Sequence, residues 1–320
     1  MKLVAAFFRL VRWPNLVFIA LTQWLFYSCI VNPFTKNETA VWPVIPQGYF
    51  WLLSLSSVLV AAGGYIINDY FDLNIDRINK PDKLVIGKII SRRWAMLWHL
   101  ALSIAGILIG FHIGYKIFHA QRALIGIANL ICVLLLVFYS TTFKRKLLIG
   151  NVVISLLTAW VVFIVTIVLK QIPSPANVSG PMIAYSSYLR IFKFTFVYGC
   201  FAFIISLIRE VIKDIEDIEG DEKYNCKTMP IVWGVPVAKV FAGVWLIVLI
   251  GALAIIQFYV LQLGWWQSSV YCLLLVIAPL CWVLKKLYEA QVAKEYHRLS
   301  TAVKLIMLAG ILSMILLKIA

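Results

Sequence analysis

Apolar residues run through this chain in long blocks, broken by short polar connectors. Blocks of roughly 20 apolar residues suffice to cross a bilayer as helices. They fall near 15–34, 50–68, 95–115, 122–142, 149–170, 191–209, 238–261, 269–286 and 302–319. The pattern predicts an all-α membrane protein with about nine transmembrane helices around a central cavity, as one polytopic domain over residues 1–320. The first block holds Asn15, Thr22 and Gln23, lacks a small-residue cleavage site, and follows a lead carrying Lys2, Arg9 and Arg12. It therefore reads as a retained helix rather than a signal peptide.

Composition supports this pattern. Hydrophobic residues make up 62% of the chain, charged residues 13%, and mean hydropathy is +0.92, whereas soluble domains are about a quarter charged. Most of the 29 Lys and Arg residues fall at the N-terminus and in alternate loops. By the positive-inside rule that side faces the cytoplasm, which suits an inner (plasma) membrane. The same loops hold the acidic residues from Asp69 to Asp82 and from Glu210 to Glu222, most of the 14 in the chain. The net charge of +15 does not indicate nucleic acid, because the basic residues are dispersed over loops that adjoin lipid headgroups and no nucleic-acid-binding module is present. Six cysteines without a Cys-x-x-Cys pair suggest neither zinc nor a disulfide framework.

The acidic residues carry the chemistry. Asp69, Asp72 and Asp76 share their spacing with Asp214, Asp217 and Asp221, 145 positions later. Positions i, i+3 and i+7 of a helix lie on one face, so each set directs three carboxylates the same way. Such a face repels itself unless a cation sits among the oxygens, and all-oxygen ligands suit Mg²⁺ completed by substrate phosphates. An allylic diphosphate ionises when metal ions and basic side chains neutralise the leaving group. Arg209 and Lys213 within the second set, Lys80 after the first, and Tyr139, Lys144 and Arg145 after the fourth block are the candidate diphosphate contacts. An isolated loop lysine is better explained by topology or lipid headgroups, whereas Arg209 and Lys213 are embedded in the motif; interfacial belts and lipid-facing packing account for most of the tryptophans and tyrosines. Glu210 is a further metal ligand or a base, or else a partner of a neighbouring Lys or Arg. The histidines, at 99, 112, 119 and 297, lie apart from both acidic sets in the sequence, which argues against a histidine base.

The segment Asn68-Asp69-Tyr70-Phe71-Asp72-Leu73-Asn74-Ile75-Asp76, with a second aspartate motif in the sixth connector and nine spans, resembles the UbiA-type intramembrane prenyltransferases. The resemblance implies that Asn68, Asp69, Asp72 and Asp76, with Asp214, Asp217 and Asp221, hold Mg²⁺ and the diphosphate of a polyprenyl donor whose tail enters a hydrophobic tunnel. Asn68, Asp72, Asp76, Asp214, Asp217 and Asp221 are the implied catalytic set. Arg209-Glu210-x-x-Lys213-Asp214-x-x-Asp217-x-Glu219-Gly220-Asp221 is most similar to the branch that includes digeranylgeranylglyceryl phosphate synthases. The expected activity is prenyl transfer to a glycerol-phosphate ether lipid, with an aromatic acceptor of quinone biosynthesis as the alternative. An ion or phosphate-lipid transporter is the reading of another class, since buried carboxylates also mark ion pathways. After the first motif the chain departs from its relatives with Lys83-Leu84-Val85-Ile86-Gly87-Lys88; Lys83 and Lys88 are candidate contacts for an acceptor phosphate.

Overall fold

The apolar blocks form helices, and the polar residues at their margins extend them. In the computed structural model, which describes residues 2–33, 45–79, 81, 84–118, 121–171 and 181–319, nine helices are long and apolar enough to cross a membrane. A short helix, α1 (Lys2–Leu10), precedes them. The long ones are α2 (Trp13–Val31), α3 (Gln47–Asn79), α4 (Arg92–Ile117), α5 (Leu124–Thr141), α6 (Ile149–Gln171) and α7 (Pro181–Glu216). After two short helices, α8 (Ile218–Lys223) and α9 (Met229–Val232), come α10 (Val235–Gln262), α11 (Trp266–Glu289) and α12 (Ala293–Leu312), followed by α13 (Met314–Ile319). Among the described residues no strand forms; one isolated bridge joins Ile86 and Ile90.

Two helices differ instructively from their apolar blocks. The second block ends near residue 68, yet α3 runs on to Asn79 and carries the whole first aspartate motif. The ninth block begins near residue 302, but α12 starts at Ala293 and takes in Lys294, Glu295, His297 and Arg298. Hydropathy reports only what lies in hydrocarbon, and a helix continues into the polar layer while its backbone bonds are satisfied.

The described residues pack as two units: residues 1–143 with 160–196, and residues 144–159 with 197–320. In hydrocarbon, apolar side chains gain little by leaving lipid, so helix association relies on close packing and buried hydrogen bonds. The first unit meets this condition with small residues. A Cβ at Gly106 of α4 would lie 2.8 Å from Val60 Cγ2 of α3, and one at Gly110 would lie 2.7 Å from Asn129 Nδ2 of α5. The close approach lets Asn129 Nδ2 donate to the Gly106 carbonyl at 2.9 Å. At the motif end of α3, Leu10 and Val11 pack with Ile66, Leu73, Val85, Ile86 and Ile90. The turn that returns Ile90 to this cluster needs Gly87, whose φ is +82°.

In the second unit the end of α7 is the buried centre. Ile208, Val211, Ile212 and Ile215 pack with Ala238, Ala242 and Leu246 of α10, Leu280, Val283 and Leu287 of α11, and Tyr296, Leu299 and Val303 of α12. The apolar side of α7 is thus committed to its neighbours, and this sets the direction in which the second motif faces.

Candidate metal and diphosphate site

The first motif lies on a single uninterrupted stretch of α3, so its three aspartates keep the helical spacing. Asn68 Nδ2 donates to Asp72 Oδ2 at 2.7 Å, one turn on, and both side chains are buried, Asp72 at 4% exposure. The amide oxygen, Asn68 Oδ1, is buried with no hydrogen-bond partner. A buried acceptor without a donor is unfavourable by about 1–3 kcal/mol, and a cation would relieve it.

Asp69 is already paired. Arg12, one residue ahead of α2, places Nη2 2.7 Å from Asp69 Oδ1 and its guanidinium 5.3 Å from the centre of the Tyr65 ring. The negative charge of Asp69 outweighs burial and holds Arg12 still more firmly protonated than usual. The Arg12 backbone is left-handed, with φ 52° and ψ 53°, a strained choice for a non-glycine residue. Next to it, Arg92 lies 4.6 Å over the Tyr70 ring. Asp76 is half-buried.

The second motif does not lie on one continuous helix, which corrects the expectation from spacing. Helix α7 ends at Glu216, Asp217 takes φ −95° and ψ 8°, and Asp221 sits in α8, 4% exposed. Turn-to-turn bonding nevertheless survives the break, with Asp217 N donating to Lys213 O at 2.9 Å and Asp221 N to Asp217 O at 3.2 Å. Asn151, in the first turn of α6, donates through Nδ2 to Asp214 Oδ2 at 2.8 Å.

Glu210 is a partner of its neighbours: Arg209 Nη1 is 3.0 Å and Lys213 Nζ 3.2 Å from its oxygens. This holds two cations beside the aspartates. Arg209 Nε is buried without a hydrogen-bond acceptor, the counterpart of the orphaned oxygen at Asn68. Of the other candidate contacts, Tyr139 is half-buried on α5 in the first unit, whereas Lys144 and Arg145 belong to the second. The Arg145 carbonyl accepts from Lys227 N at 2.8 Å, tying that segment to the loop after the second motif. Lys80 and Lys83 lie outside the described residues. Lys88 is exposed and donates to the Pro81 carbonyl at 2.8 Å.

Among the described residues, no three His, Cys, Asp or Glu side chains converge as a ready-made metal site. The donor set still fits a hard cation. In the first unit the donors are all oxygen and include a buried amide oxygen lacking a donor; in the second, the Asp214 carboxylate is steered by the neutral amide of Asn151, as ligands of Mg²⁺ commonly are. Three participants escaped sequence reasoning. Arg12 is hidden by 57 positions of separation from Asp69. Asn151 was discoverable as a lone polar residue opening an apolar block. His297, remote from both motifs in sequence, has its Nδ1 2.7 Å from Glu216 Oε1.

Residues 39–312 match the UbiA prenyltransferase family. A digeranylgeranylglyceryl phosphate synthase of Methanosphaera stadtmanae is 29% identical over 275 residues, 84% of this chain and 89% of that protein. A solved structure described as digeranylgeranylglyceryl phosphate synthase in membranes shares the fold, with a TM-score of 0.59 and 22% identity over 98% of this chain and 99% of the other. So does a UbiA homolog from Archaeoglobus fulgidus bound to GPP and Mg²⁺, with a TM-score of 0.54 and 15% identity over 97% and 99% of the two chains.

Proposed function

The chain belongs to the UbiA prenyltransferase family, and from that premise we propose that it transfers a polyprenyl group from its diphosphate to a glycerol-phosphate ether lipid of the geranylgeranylglyceryl phosphate kind. The observation that carries the reading is the buried acceptor at Asn68 Oδ1 within the first motif, a need that a cation would meet. Within the second unit, Arg209 Nε is a buried donor that an anionic oxygen would satisfy. The name of the Methanosphaera relative supports the ether-lipid acceptor, and the complex of the Archaeoglobus homolog supports a prenyl diphosphate with Mg²⁺.

In this reading Asn68, Asp69, Asp72 and Asp76 of the first motif, and Asp214, Asp217 and Asp221 of the second, are the residues that would hold Mg²⁺. Bound Mg²⁺ neutralises the diphosphate oxygens and so makes diphosphate a better leaving group. Arg209 and Lys213, oriented by Glu210, contribute further positive charge to the departing group. Tyr139, Lys144, Arg145 and Lys80 complete the proposed diphosphate contacts. The allylic C1–O bond to diphosphate breaks, the acceptor hydroxyl oxygen bonds to C1, and the hydroxyl proton is released. The excess of basic residues in the motif-bearing loops supports a site on the cytoplasmic face of the membrane.

The test incubates membranes holding the protein with Mg²⁺, geranylgeranyl diphosphate and two acceptors in competition, geranylgeranylglyceryl phosphate and 4-hydroxybenzoate, and identifies the product by mass. A doubly prenylated glycerol phosphate is expected. Prenylated hydroxybenzoate as the sole product would replace this reading with the aromatic one.

A further inference from the structure

We propose that Glu216 is a positioning residue for the second aspartate motif, clamped by His297 and Ser300 of α12. The inference rests on the metal-diphosphate role assigned to that motif. Its starting point is the break in the helix: Glu216 is the last residue of α7, and Asp217 and Asp221 follow on the far side of the break. Two backbone bonds still span the joint, but the backbone at Asp217 is irregular, and side-chain contacts there help set the direction of the following segment. Within α7, at roughly 100° per residue, Glu216 lies about 200° round the helix from Asp214 and so projects from the opposite side. It therefore steadies the joint from behind without entering the site.

Both oxygens of this carboxylate are engaged. His297 Nδ1 lies 2.7 Å from Oε1, and Ser300 Oγ donates to Oε2 at 3.3 Å. The Glu216 side chain is 11% exposed, and a carboxylate this covered is costly unless hydrogen-bonded. With the carboxylate ionised, the short contact requires the ring proton on Nδ1.

The other side of the clamp is itself held. The Glu295 carboxylate accepts from the backbone N–H of Gln291 at 2.7 Å and of Val292 at 3.2 Å, closing the start of α12. Tyr296 Oη donates to the Ala290 carbonyl at 2.9 Å, and Lys239 Nζ donates to the same oxygen. Leu299 and Val303 then pack into the cluster formed around Ile212 and Ile215. The first turns of α12 are thus a fixed support, and the Glu216 clamp transmits that support to the joint. Without it, Asp217 and Asp221 lose their setting relative to Asp214.

His297→Ala is the decisive variant, because its side chain is 51% exposed and its removal does not open the core. Protein purified in detergent is titrated with Mn²⁺ in the presence of an unreactive prenyl thiodiphosphate, and free Mn²⁺ is read by electron paramagnetic resonance. His297→Ala is expected to weaken Mn²⁺ binding about tenfold, the lower range for partners that orient metal ligands. His297→Asn, which keeps a donor near the Nδ1 position, recovers most of the loss. Acceptor KM stays within about twofold, and Glu216→Ala combined with His297→Ala binds no worse than Glu216→Ala alone. Unchanged Mn²⁺ binding in His297→Ala, additive effects of the two changes, or failure of Asn to restore binding would overturn the clamp. Wild-type protein that binds no Mn²⁺ with the analogue would instead overturn the function proposed above, and the clamp with it.

Discussion

Replacing Asp72 by alanine separates a catalytic role from a structural one. The side chain is 4% exposed and accepts the Asn68 amide at 2.7 Å, so its loss removes a buried anion and leaves Asn68 Nδ2 without its acceptor. The orphaned donor costs about 1–3 kcal/mol, partly offset because a carboxylate no longer has to be desolvated. The net effect is a modest loss of stability, about 1 kcal/mol. Catalysis has no such compensation. One ligand to the cation is gone, and the Asn68 amide is released from the orientation that directs its free oxygen. Loss of a single preorganised electrostatic contact costs about 3–4 kcal/mol of transition-state stabilisation, which is roughly two to three orders of magnitude in rate. The assay compares detergent-purified wild type and Asp72→Ala at saturating acceptor, with product quantified by mass and folded fraction by size exclusion and thermal unfolding. Well-folded Asp72→Ala turning over within threefold of wild type would refute the ligand assignment.

Two further substitutions test the contacts that steer the motifs. Asn151→Leu leaves Asp214 Oδ2 without its 2.8 Å donor; transfer should fall at least tenfold and the Mg²⁺ needed for half-maximal rate should rise, whereas unchanged Mg²⁺ dependence would assign Asn151 to packing alone. Arg12→Gln breaks the pair with Asp69, which is only partly buried. It should lower stability by about 1 kcal/mol or less while shifting the Mg²⁺ dependence, and a large loss of Tm with normal Mg²⁺ dependence would make Arg12 a structural anchor only.

The extent to which these features were legible differs by element. All nine spans could be read from apolar blocks, because hydrocarbon imposes length and composition on a helix directly. The first motif was equally accessible, since α3 carries Asp69, Asp72 and Asp76 without interruption. The break at Asp217 was not. Residues 210–223 contain no proline, and the only glycine, Gly220, lies beyond the break. What marks the joint is the clamp on Glu216 from residues some 80 positions later, a tertiary effect without local signal. Arg12 and Asn151 follow the same rule: each meets its aspartate across 57 or 63 positions, and pattern reading works along one element at a time. The division of the described residues into two packing units was also hard to see, because two of its three boundaries fall inside α6 and α7, where the apolar pattern is unbroken.

The most direct test of the central claim asks whether the aspartate motifs serve a metal diphosphate in prenyl transfer. Purified protein is given geranylgeranyl diphosphate and geranylgeranylglyceryl phosphate, and the ether product and released diphosphate are quantified with Mg²⁺, with excess EDTA, and after Mg²⁺ is restored. One diphosphate released per ether formed, no product in EDTA and full recovery with Mg²⁺ is the predicted result. Ether formation that persists undiminished in EDTA would contradict it.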